Sequence, residues 1–586
     1  MRYSRKQYEP GSIKPRIILV GVFFSLLYLV IAGRVVYLQV YRGEMLASRA
    51  SGEYRRTCVT AGKRGTIFDR NHNELAVTID AVSIGLHPSS IPEAQIIAPK
   101  LARAANLEIG TVKSKLASGR SFVWLKRLMA DDEVAAVKQL NLPPEAIEYI
   151  AEQKRVYPNN SLAAQLIGFT GIDGNGLEGV EYAWDDELRG RTVSRTVLMD
   201  ARKRYLGAGD VPIDSADGND VILTIDSAIQ YIAENALKEA VVDSQALSGM
   251  AVVMNPETGE ILAMANYPCF NPNDFGSYGR DAWRNRTITD AFEPGSIMKV
   301  FLAAGSIESG LCTPDSVFFC EDGEYMIDGH CIHDSHGHGW LTMREIIKIS
   351  SNIGAVKISE KIGRKNLWET LRRFGFDSRP DIGCPGSTEG LLSFYTQWTA
   401  VDTSAIAFGQ GVSASAIQLV TAVSAIANGG LLLKPYVVSA MVEADGRVVR
   451  YRDRKVIRRV ISEQTSAYLK EMMASVTTEG GTGEKAAIEG YTVCGKTGTA
   501  QKLNDKGRYT DKNYVASFLG FAPSNNPRIA VLVVVNSPKK GYYGGIVAAP
   551  AFRKIILESL NYFGVSPEKE NPRENLMVIA KKGVNG

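Results

Sequence analysis

The sequence predicts an α+β protein, in which an antiparallel sheet with an inserted helical region follows a spacer segment and one membrane-spanning helix. Three observations support this fold class. Residues 17–33 carry no charge, strand-like runs occur at both ends of residues 221–565, and long apolar runs typical of buried helices lie between those ends. The strands at the two ends of residues 221–565 are expected to pair in one sheet. The helices between them then form an insertion between the strands of that sheet.

The size and composition predict a multidomain globular chain. At 586 residues the chain exceeds what a single core supports. Apolar residues make up 45% and charged residues 22%, which is typical of folded domains. The net charge is +4, and the excess of basic residues in 1–16 accounts for it, so no basic surface for nucleic acid is expected. The seven cysteines are scattered and odd in number, which does not favour a disulfide framework.

The N-terminus predicts a membrane anchor. At about 1.5 Å per residue, the uncharged run 17–33 just reaches the length of a membrane-spanning helix, and Arg34 can extend its guanidinium to the interface. A cleaved signal peptide is the alternative, but the apolar run is long and no Ala-x-Ala site follows closely. We therefore expect an uncleaved anchor at 17–40, with the basic residues 1–16 in the cytoplasm and the rest of the chain outside.

Residues 41–220 are predicted to form a non-catalytic domain. Residues 63–71 read as a short apolar core flanked by charges of both signs, and residues 176–182 as the start of a helix. No nucleophile with an adjacent base is visible in this region. A run rich in Gly and Asp at 207–220 marks the predicted boundary with the next domain.

Residues 221–565 are predicted to form the second folded domain. Residues 250–254 and 261–265 are two apolar strands around an Asn-Pro-Glu-Thr-Gly turn, which predicts a hairpin. Further elements follow the same patterns: a strand at 221–226, a helix capped by Asp226, strands at 514–521 and 528–536, and a helix at 550–562. The polar tail 566–586 is expected to be flexible.

The strongest chemical signal is a serine followed three residues later by a lysine. Ser296 follows a Pro-Gly turn and an apolar run continues to Gly310, which predicts a buried helix that starts near Ser296 and ends at Gly310. Lys299 then lies on the same helix face as Ser296. A serine hydroxyl needs an adjacent base, and a lysine desolvated by apolar neighbours can serve as that base. The spacing alone is common: Ser537 and Ser566 also precede a lysine by three residues, but no apolar helix follows either of them.

Two further motifs add specificity. Ser350-Ser351-Asn352 lies between two apolar runs, and Lys496-Thr497-Gly498-Thr499 closes a strand-like run. Lys-Thr-Gly occurs once in the chain. The ordered set Ser-x-x-Lys, Ser-x-Asn and Lys-Thr-Gly is the signature of penicillin-binding proteins and serine β-lactamases.

The chain resembles a class B penicillin-binding protein, a monofunctional D,D-transpeptidase that cross-links peptidoglycan. Besides the three motifs, matches to the family occur along nearly the whole length: Arg34-x-x-x-Leu38-Gln39, Arg64-Gly65-x-Ile67-x-Asp69-Arg70-Asn71, Gly176-Leu177-Glu178 with Tyr182, Leu223-Thr224-Ile225-Asp226, Phe408-Gly409-Gln410-Gly411 and 544–550. The last match is more similar to the cell-division branch than to the elongation branch. The resemblance implies an elongated α+β pedestal at 41–220. It implies a transpeptidase domain at 221–565 with a five-stranded antiparallel sheet, flanking helices and an inserted helical subdomain.

The resemblance also implies residue roles. Ser296 would be the nucleophile, Lys299 its proton acceptor, and Ser350 the proton relay to the leaving D-alanine. Asn352 would hold the peptide amide, and Lys496 would supply charge for the substrate carboxylate. Thr497 and Thr499 would add hydroxyl donors, and Gly498 would let the substrate backbone approach the strand. The backbone N–H groups of Ser296 and Thr499 would form the oxyanion hole. No metal or organic cofactor is implied.

The implied partners are stem peptides ending in D-Ala-D-Ala, the membrane, a polytopic lipid-II polymerase and other division proteins. Arg64, Asp69 and Arg70 form a candidate region for coupling to the polymerase. An internal salt bridge that stabilises the pedestal is the alternative for these three residues.

Four histidines, His330, His333, His336 and His338, lie close to Cys320 and Cys331. The set could bind zinc, but its spacing matches no standard finger, so a solvated polar loop is expected. A Cys320–Cys331 disulfide is a further alternative, since an exported domain would permit it.

The predicted function is a membrane-anchored transpeptidase of septal peptidoglycan that β-lactams inhibit. An elongation-specific transpeptidase and a carboxypeptidase use the same chemistry and stay open. A β-lactamase would need neither anchor nor pedestal. A division scaffold with an idle active site is the alternative from a different class.

Overall fold

The computed structural model describes residues 13–198, 216–503 and 509–568. The first twelve residues, most of the predicted boundary 207–220 and most of the predicted tail 566–586 lie outside the described residues. The described chain divides into two units: one joins residues 13–62 with 191–198 and 216, and the other joins 63–190 with 217–568.

The elements of the N-terminal part are, in chain order, α1 (Lys14–Val36), a π-helical turn (Tyr37–Tyr41), α2 (Gly43–Tyr54), β1 (Arg55–Ala61), β2 (Ile67–Phe68), β3 (Glu74–Leu86), α3 (Ala94–Ala104), α4 (Ile109–Leu116), β4 (Val123–Met129), α5 (Asp131–Lys138), β5 (Ile147–Val156), α6 (Ala164–Ile167), α7 (Gly179–Ala183), α8 (Asp185–Leu188) and β6 (Thr192–Leu198).

The elements of the C-terminal part continue with β7 (Asp220–Leu223), α9 (Ser227–Asp243), β8 (Ser248–Met254), β9 (Ile261–Tyr267), α10 (Arg280–Trp283), α11 (Arg286–Thr289), β10 (Ala291–Phe292), α12 (Met298–Glu308), β11 (Val317–Phe319), β12 (Glu324–Ile327), β13 (His330–His333), β14 (Trp340–Thr342), α13 (Met343–Ile349), α14 (Asn352–Arg373), α15 (Ala400–Ala407), β15 (Ala414–Ser415), α16 (Ala416–Ala427), β16 (Leu431–Leu433), β17 (Val438–Val442), β18 (Val448–Tyr451), β19 (Val456–Arg459), α17 (Glu463–Ser475), β20 (Cys494–Leu503), β21 (Tyr509–Ala522), β22 (Ile529–Asn536), α18 (Gly544–Val547) and α19 (Ala549–Tyr562).

The first unit contains one apolar helix and a two-stranded ribbon. Helix α1 and the following turn span 28 residues and contain an 18-residue stretch with a mean hydropathy of 2.3 and no buried residue, which fits the predicted membrane anchor by length and composition. Strands β1 and β6 pair antiparallel, from Arg55 opposite Leu198 to Ala61 opposite Thr192.

The predicted five-stranded antiparallel sheet is confirmed, with strand order β20-β21-β22-β8-β9. Helices α9 and α19, from the two ends of the domain, pack together on one face, and the long apolar helix α16 packs on the other face. The predicted cap of α9 also forms, because the Asp226 carboxylate accepts hydrogen bonds from the N–H groups of Ala228 and Ile229. The sheet order places β20, which carries the Lys-Thr-Gly motif, at an edge.

A second sheet of seven strands joins the pedestal region to the domain that follows. Strand β7 pairs in parallel with β2 and antiparallel with β17, while β3 pairs with β2, β4 and β5. The apolar residues of β3 and β4 pack on helices α3 to α5 and form a small separate core. Residue 220, the predicted domain boundary, therefore lies in a strand hydrogen-bonded on both sides.

A buried group of charges holds the pedestal residues together. We call it the Arg64 cluster; it consists of Arg64, Arg155, Glu181 and Asp185. Arg64 binds Glu181 at 2.6 Å and Asp185 at 2.6 Å, and Arg155 binds the other Glu181 oxygen at 2.7 Å. The Glu181 side chain is 0% exposed. Each buried cation in this cluster thus faces a carboxylate.

Candidate active site

Ser296 lies in a 3-10 turn, Gly295–Ile297, directly before α12. The helix begins at Met298, two residues later than the sequence pattern predicts, and Lys299 lies in its first turn. Gly295 adopts φ +56°, and a Cβ on it would lie 2.8 Å from the carbonyl oxygen of Thr499. The absence of a side chain at this position therefore brings the Ser296 turn and strand β20 together.

Ser350 lies at the junction of two helices. It ends α13 in the left-handed region, at φ 66° and ψ 39°. Helix α14 then begins at Asn352, and Ser351 caps it by accepting a hydrogen bond from the Gly354 N–H at 2.9 Å. A non-glycine residue in this backbone conformation is uncommon and is often found at functional sites.

Two lysines converge on Ser350. Lys299 Nζ donates to the Ser350 carbonyl oxygen at 2.6 Å, to Asn352 Oδ1 at 2.7 Å and to Ser350 Oγ at 3.3 Å. Lys496 Nζ donates to the same Ser350 Oγ at 2.8 Å. We call Lys299, Ser350 and Lys496 the lysine–serine hub. The structure thus joins residues from all three sequence motifs in one hydrogen-bonded group.

Burial changes the protonation of both lysines. Each is 0% exposed. Burial lowers the pKa of Lys299 to about 7, and the Asp334 carboxylate opposes this by raising it. Burial also lowers the pKa of Lys496 well below its usual value, and the positive charge of Lys299 lowers it further. The hub can therefore hold an uncharged amine near neutral pH, which is what a proton acceptor needs.

The structure differs from the expectation that the Ser296 hydroxyl is hydrogen-bonded to Lys299 as its adjacent base. Within the described residues, Ser296 Oγ makes no hydrogen bond to Lys299, whose bonds all go to Ser350 and Asn352. Bonds between a nucleophile and its base are often long until substrate binds. The sequence places Lys299 correctly in the first turn of a buried helix, with Ser296 just before it, but it does not reveal that Ser350 lies between the lysines.

The Lys-Thr-Gly strand lies beside the serine turn. The Thr497 hydroxyl is 3.0 Å from the Thr482 hydroxyl, and the Thr499 hydroxyl accepts a hydrogen bond from the Gly544 N–H at 3.1 Å. A Cβ on Gly498 would lie 2.2 Å from Ser517 Oγ and 2.8 Å from the Pro294 carbonyl oxygen. The space at Gly498 is therefore occupied by the protein's own β21 and serine turn, which is a different reason for glycine from the substrate approach suggested by the sequence.

Asp334 is a site residue that sequence reasoning missed. Its carboxylate accepts a hydrogen bond from Ser351 Oγ at 2.5 Å and also binds the N–H groups of Asn352 and Ile353. The neighbouring His333 carbonyl oxygen accepts from Asn352 Nδ2 at 2.9 Å. The segment after β13 thus fixes the start of α14. No local pattern in the sequence connects residue 334 with residue 352.

The histidine-rich segment forms the exposed hairpin β12–β13 and the turn after it. Cys320 is buried, Cys331 is exposed, and both are free thiols, so the disulfide alternative is wrong for this structure. Within the described residues, no three His, Cys, Asp or Glu side chains lie close enough to hold a metal ion.

Arg64 and Asp69, two of the three candidate residues for a polymerase contact, are buried. Arg64 belongs to the Arg64 cluster, and the Asp69 carboxylate binds Asn73 at 2.9 Å and the Ser227 hydroxyl at 2.7 Å. Arg70 keeps partial exposure and lies 3.5 Å from Glu260. For Arg64 and Asp69 the structure therefore favours the alternative of internal stabilisation.

Comparison with known proteins identifies the family. The family described as "Penicillin binding protein transpeptidase domain" matches residues 249–557. The family described as "Penicillin-binding Protein dimerisation domain" matches residues 59–223. The chain is a class B penicillin-binding protein. The residues that match the transpeptidase family, 249–557, contain the Ser-x-x-Lys, Ser-x-Asn and Lys-Thr-Gly motifs.

Relatives of this penicillin-binding protein match over most of its length. It is 35% identical to "Probable peptidoglycan D,D-transpeptidase PenA" of Neisseria gonorrhoeae over 567 residues, 96% of this chain and 95% of PenA. It is 34% identical to "Peptidoglycan D,D-transpeptidase FtsI" of Escherichia coli over 546 residues, 92% of this chain and 90% of FtsI. The crystal structure of penicillin-binding protein 3 from Mycobacterium tuberculosis complexed with ampicillin is similar with a TM-score of 0.69 at 29% identity, covering 88% of this chain and 98% of that one.

Proposed function

We propose that this penicillin-binding protein is a membrane-anchored D,D-transpeptidase that cross-links peptidoglycan stem peptides at the division septum. The observation that carries the proposal is the lysine–serine hub, which holds two buried amines against Ser350 next to the Ser296 turn. A buried amine with a lowered pKa can take a proton from a hydroxyl at neutral pH. A purely structural site would not place two lysines of like charge together in the interior.

In the acylation step, Ser296 Oγ attacks the carbonyl carbon of the penultimate D-alanine while Lys299 Nζ accepts the hydroxyl proton. The backbone N–H groups of Ser296 and Thr499 stabilise the oxyanion. Ser350 Oγ, which accepts hydrogen bonds from both lysines, passes a proton to the nitrogen of the leaving D-alanine. The C–N bond then breaks, and an ester to Ser296 remains.

The remaining motif residues position the substrate. Asn352 holds the peptide amide, and the hydroxyl groups of Thr497 and Thr499 bind the terminal carboxylate. Lys496 supplies positive charge when that carboxylate enters, because an anion next to a buried amine raises its affinity for a proton. Strand β20 lies at the edge of the sheet, where a stem peptide can extend along it as an added strand.

In the second step, the amine of a neighbouring stem peptide attacks the ester, and its proton passes to the hub as Ser296 is released. The products are a cross-link and free enzyme, with no metal or organic cofactor in either step. A β-lactam follows only the first step, and its acyl group stays on Ser296.

The domain arrangement completes the proposal. Residues 1–16 lie in the cytoplasm, 17–40 cross the membrane, 41–220 form the pedestal and 221–565 form the transpeptidase domain. The apolar run Lys14–Tyr41 supports the anchor. The run 544–550 supports the septal branch, since it resembles the cell-division branch more than the elongation branch. A lipid-II polymerase and other division proteins are the expected partners.

A fluorescent penicillin tests the chemistry. We expect covalent labelling of the full-length protein and complete loss of labelling in Ser296→Ala. Ser537→Ala is the matched control, because Ser537 also precedes a lysine by three residues, and it should label normally. Labelling that survives in Ser296→Ala would overturn Ser296 as the nucleophile. An unlabelled wild-type protein would overturn the proposal in favour of a scaffold.

Depletion in the native host tests the septal assignment. Cells that grow into filaments support a role in division. Rounded cells would instead assign the enzyme to elongation.

A further inference from the structure

We propose that Thr482 is a positioning residue that determines how strongly the enzyme recognises the carboxylate of its donor peptide. It acts by holding the Thr497 hydroxyl so that its hydrogen points to the substrate. This inference rests on the proposed function and adds to it a residue outside the three motifs.

The hydroxyl of Thr497 has two neighbours in the protein. Lys496 Nζ donates to Thr497 Oγ1 at 3.3 Å, and Thr482 Oγ1 lies 3.0 Å from the same oxygen. A hydroxyl has one hydrogen to donate and two lone pairs to accept with. If Thr482 donates to Thr497, both lone pairs of Thr497 are used and its single hydrogen is free for the substrate.

The other direction of this hydrogen bond would block the site. Thr497 would then donate its hydrogen to Thr482 and have none left for the substrate. Either hydroxyl can donate across the 3.0 Å contact. Because a carboxylate can only accept, its arrival selects the arrangement in which Thr497 donates to the substrate and Thr482 donates to Thr497.

The backbone around Thr482 fixes its position. The Thr482 N–H donates to the Lys348 carbonyl oxygen at 3.3 Å, two residues before Ser350. On the other side, a Cβ on Gly545 would lie 2.1 Å from the Thr482 carbonyl oxygen. The backbone of Thr482 is thus held between the helix that ends at Ser350 and the segment that follows Gly544, which keeps its side chain beside Thr497.

The test compares two substrates that differ only in the carboxylate. Acylation rates of the full-length protein are measured by intact-protein mass spectrometry with a penicillin and with its methyl ester, and the ratio of the two rates reports carboxylate recognition. We expect Thr482→Val to lower this ratio about tenfold, the size of one hydrogen bond to a charged group. Thr482→Ser keeps the hydroxyl and should keep the ratio within about threefold.

The matched control is Thr478→Val in the same loop, whose hydroxyl donates to the Ser475 carbonyl oxygen at 2.8 Å and should leave the ratio unchanged. A double-mutant cycle then separates action through Thr497 from direct contact with substrate. In a Thr497→Val background, Thr482→Val should change the ratio by less than about twofold.

Three outcomes overturn the inference: an unchanged ratio in Thr482→Val, equal losses with the acid and the ester, or a full effect in the Thr497→Val background. All three leave Ser296-dependent labelling intact, so they are distinct from a failure of the proposed function. If neither substrate labels the wild-type protein, both the inference and the proposed function are overturned.

Discussion

The Arg64 cluster and the lysine–serine hub are two ways of burying a pair of cations in one protein. In the Arg64 cluster, both guanidinium groups bind carboxylates directly, at 2.6 to 2.7 Å. In the hub, both ammonium groups share a neutral serine, and the carboxylate of Asp334 acts on Lys299 without a direct bond to it. The first arrangement pairs each buried cation with a carboxylate and holds the fold, whereas in the second burial lowers the pKa of both lysines, as the proposed proton acceptor requires.

The Arg64 cluster contains arginines and the hub contains lysines, and this difference matches the role of each region. Arginine keeps its proton in proteins and offers a planar set of donors for two carboxylates. Lysine loses its proton readily when buried. In this protein, the buried cations with directly bound carboxylates belong to the stabilising cluster. Among the described residues, the buried lysines without a directly bound carboxylate belong to the proposed active site.

Replacing Lys299 by methionine should produce the largest effect. Lys299→Met removes the proton acceptor, so the rate of penicillin acylation is expected to fall by about a thousandfold to ten-thousandfold. It also removes a like charge from the interior, so the melting temperature should stay equal or rise. Stopped-flow acylation and thermal unfolding measure the two quantities, and Lys365→Met on the exposed surface is the control. A large loss of stability would contradict the contrast between the two regions.

Breaking the Arg64 cluster should lower the stability of the protein and leave the acylation rate unchanged, the opposite of the result expected for Lys299→Met. Glu181→Gln leaves Arg64 and Arg155 buried with one carboxylate fewer, which should lower the free energy of unfolding by about 3–5 kcal/mol. Acylation by the fraction that remains folded should be unchanged, because the cluster lies outside the hub. Denaturant unfolding with Asp186→Asn, an exposed residue of α8, as control checks this expectation. An acylation defect without a stability loss would show that the cluster acts on the site.

Removing Asp334 should have a smaller effect and shift the pH dependence. The wild-type acylation rate is expected to rise about tenfold between pH 6 and pH 8, since the pKa of Lys299 is about 7 and the uncharged amine is the active form. Asp334 raises that pKa, so Asp334→Asn should move the midpoint to lower pH. Because the two lysines interact, the midpoint belongs to the pair.

The same substitution should also slow acylation at pH 8 by about tenfold to a hundredfold, because the start of α14 loses an anionic acceptor. Asp328→Asn, at the turn of the hairpin β12–β13, is the control. A midpoint that moves to higher pH would be incompatible with the proposed electrostatics.

Local patterns predict much of this protein. The apolar run after Lys299 predicts a buried helix, and the two apolar runs on either side of the turn at Asn255 predict the β8–β9 hairpin, because both depend on residues close in sequence. The Asp226 cap is local for the same reason. The start of α12 is misplaced by two residues because the Pro-Gly turn continues as a 3-10 turn through Ile297.

The geometry of the site depends on long-range contacts that no local pattern contains. The contacts of Asp334 with Asn352 and of Thr482 with Thr497 depend on how the loops pack. The true reason for Gly498 likewise appears only when Ser517 and Pro294 are placed beside it. The motif residues could be found from their chemistry, but the residues that hold them could not.

The edge strand β20 is also the last motif element to be synthesised. Ser296 leaves the ribosome long before Lys496 and Gly544, and the hub forms only when the C-terminal strands have joined the sheet. A growing chain therefore contains Ser296 before Lys496 is available to complete the hub. The proposed chemistry at Ser296 can begin only after the whole sheet has assembled.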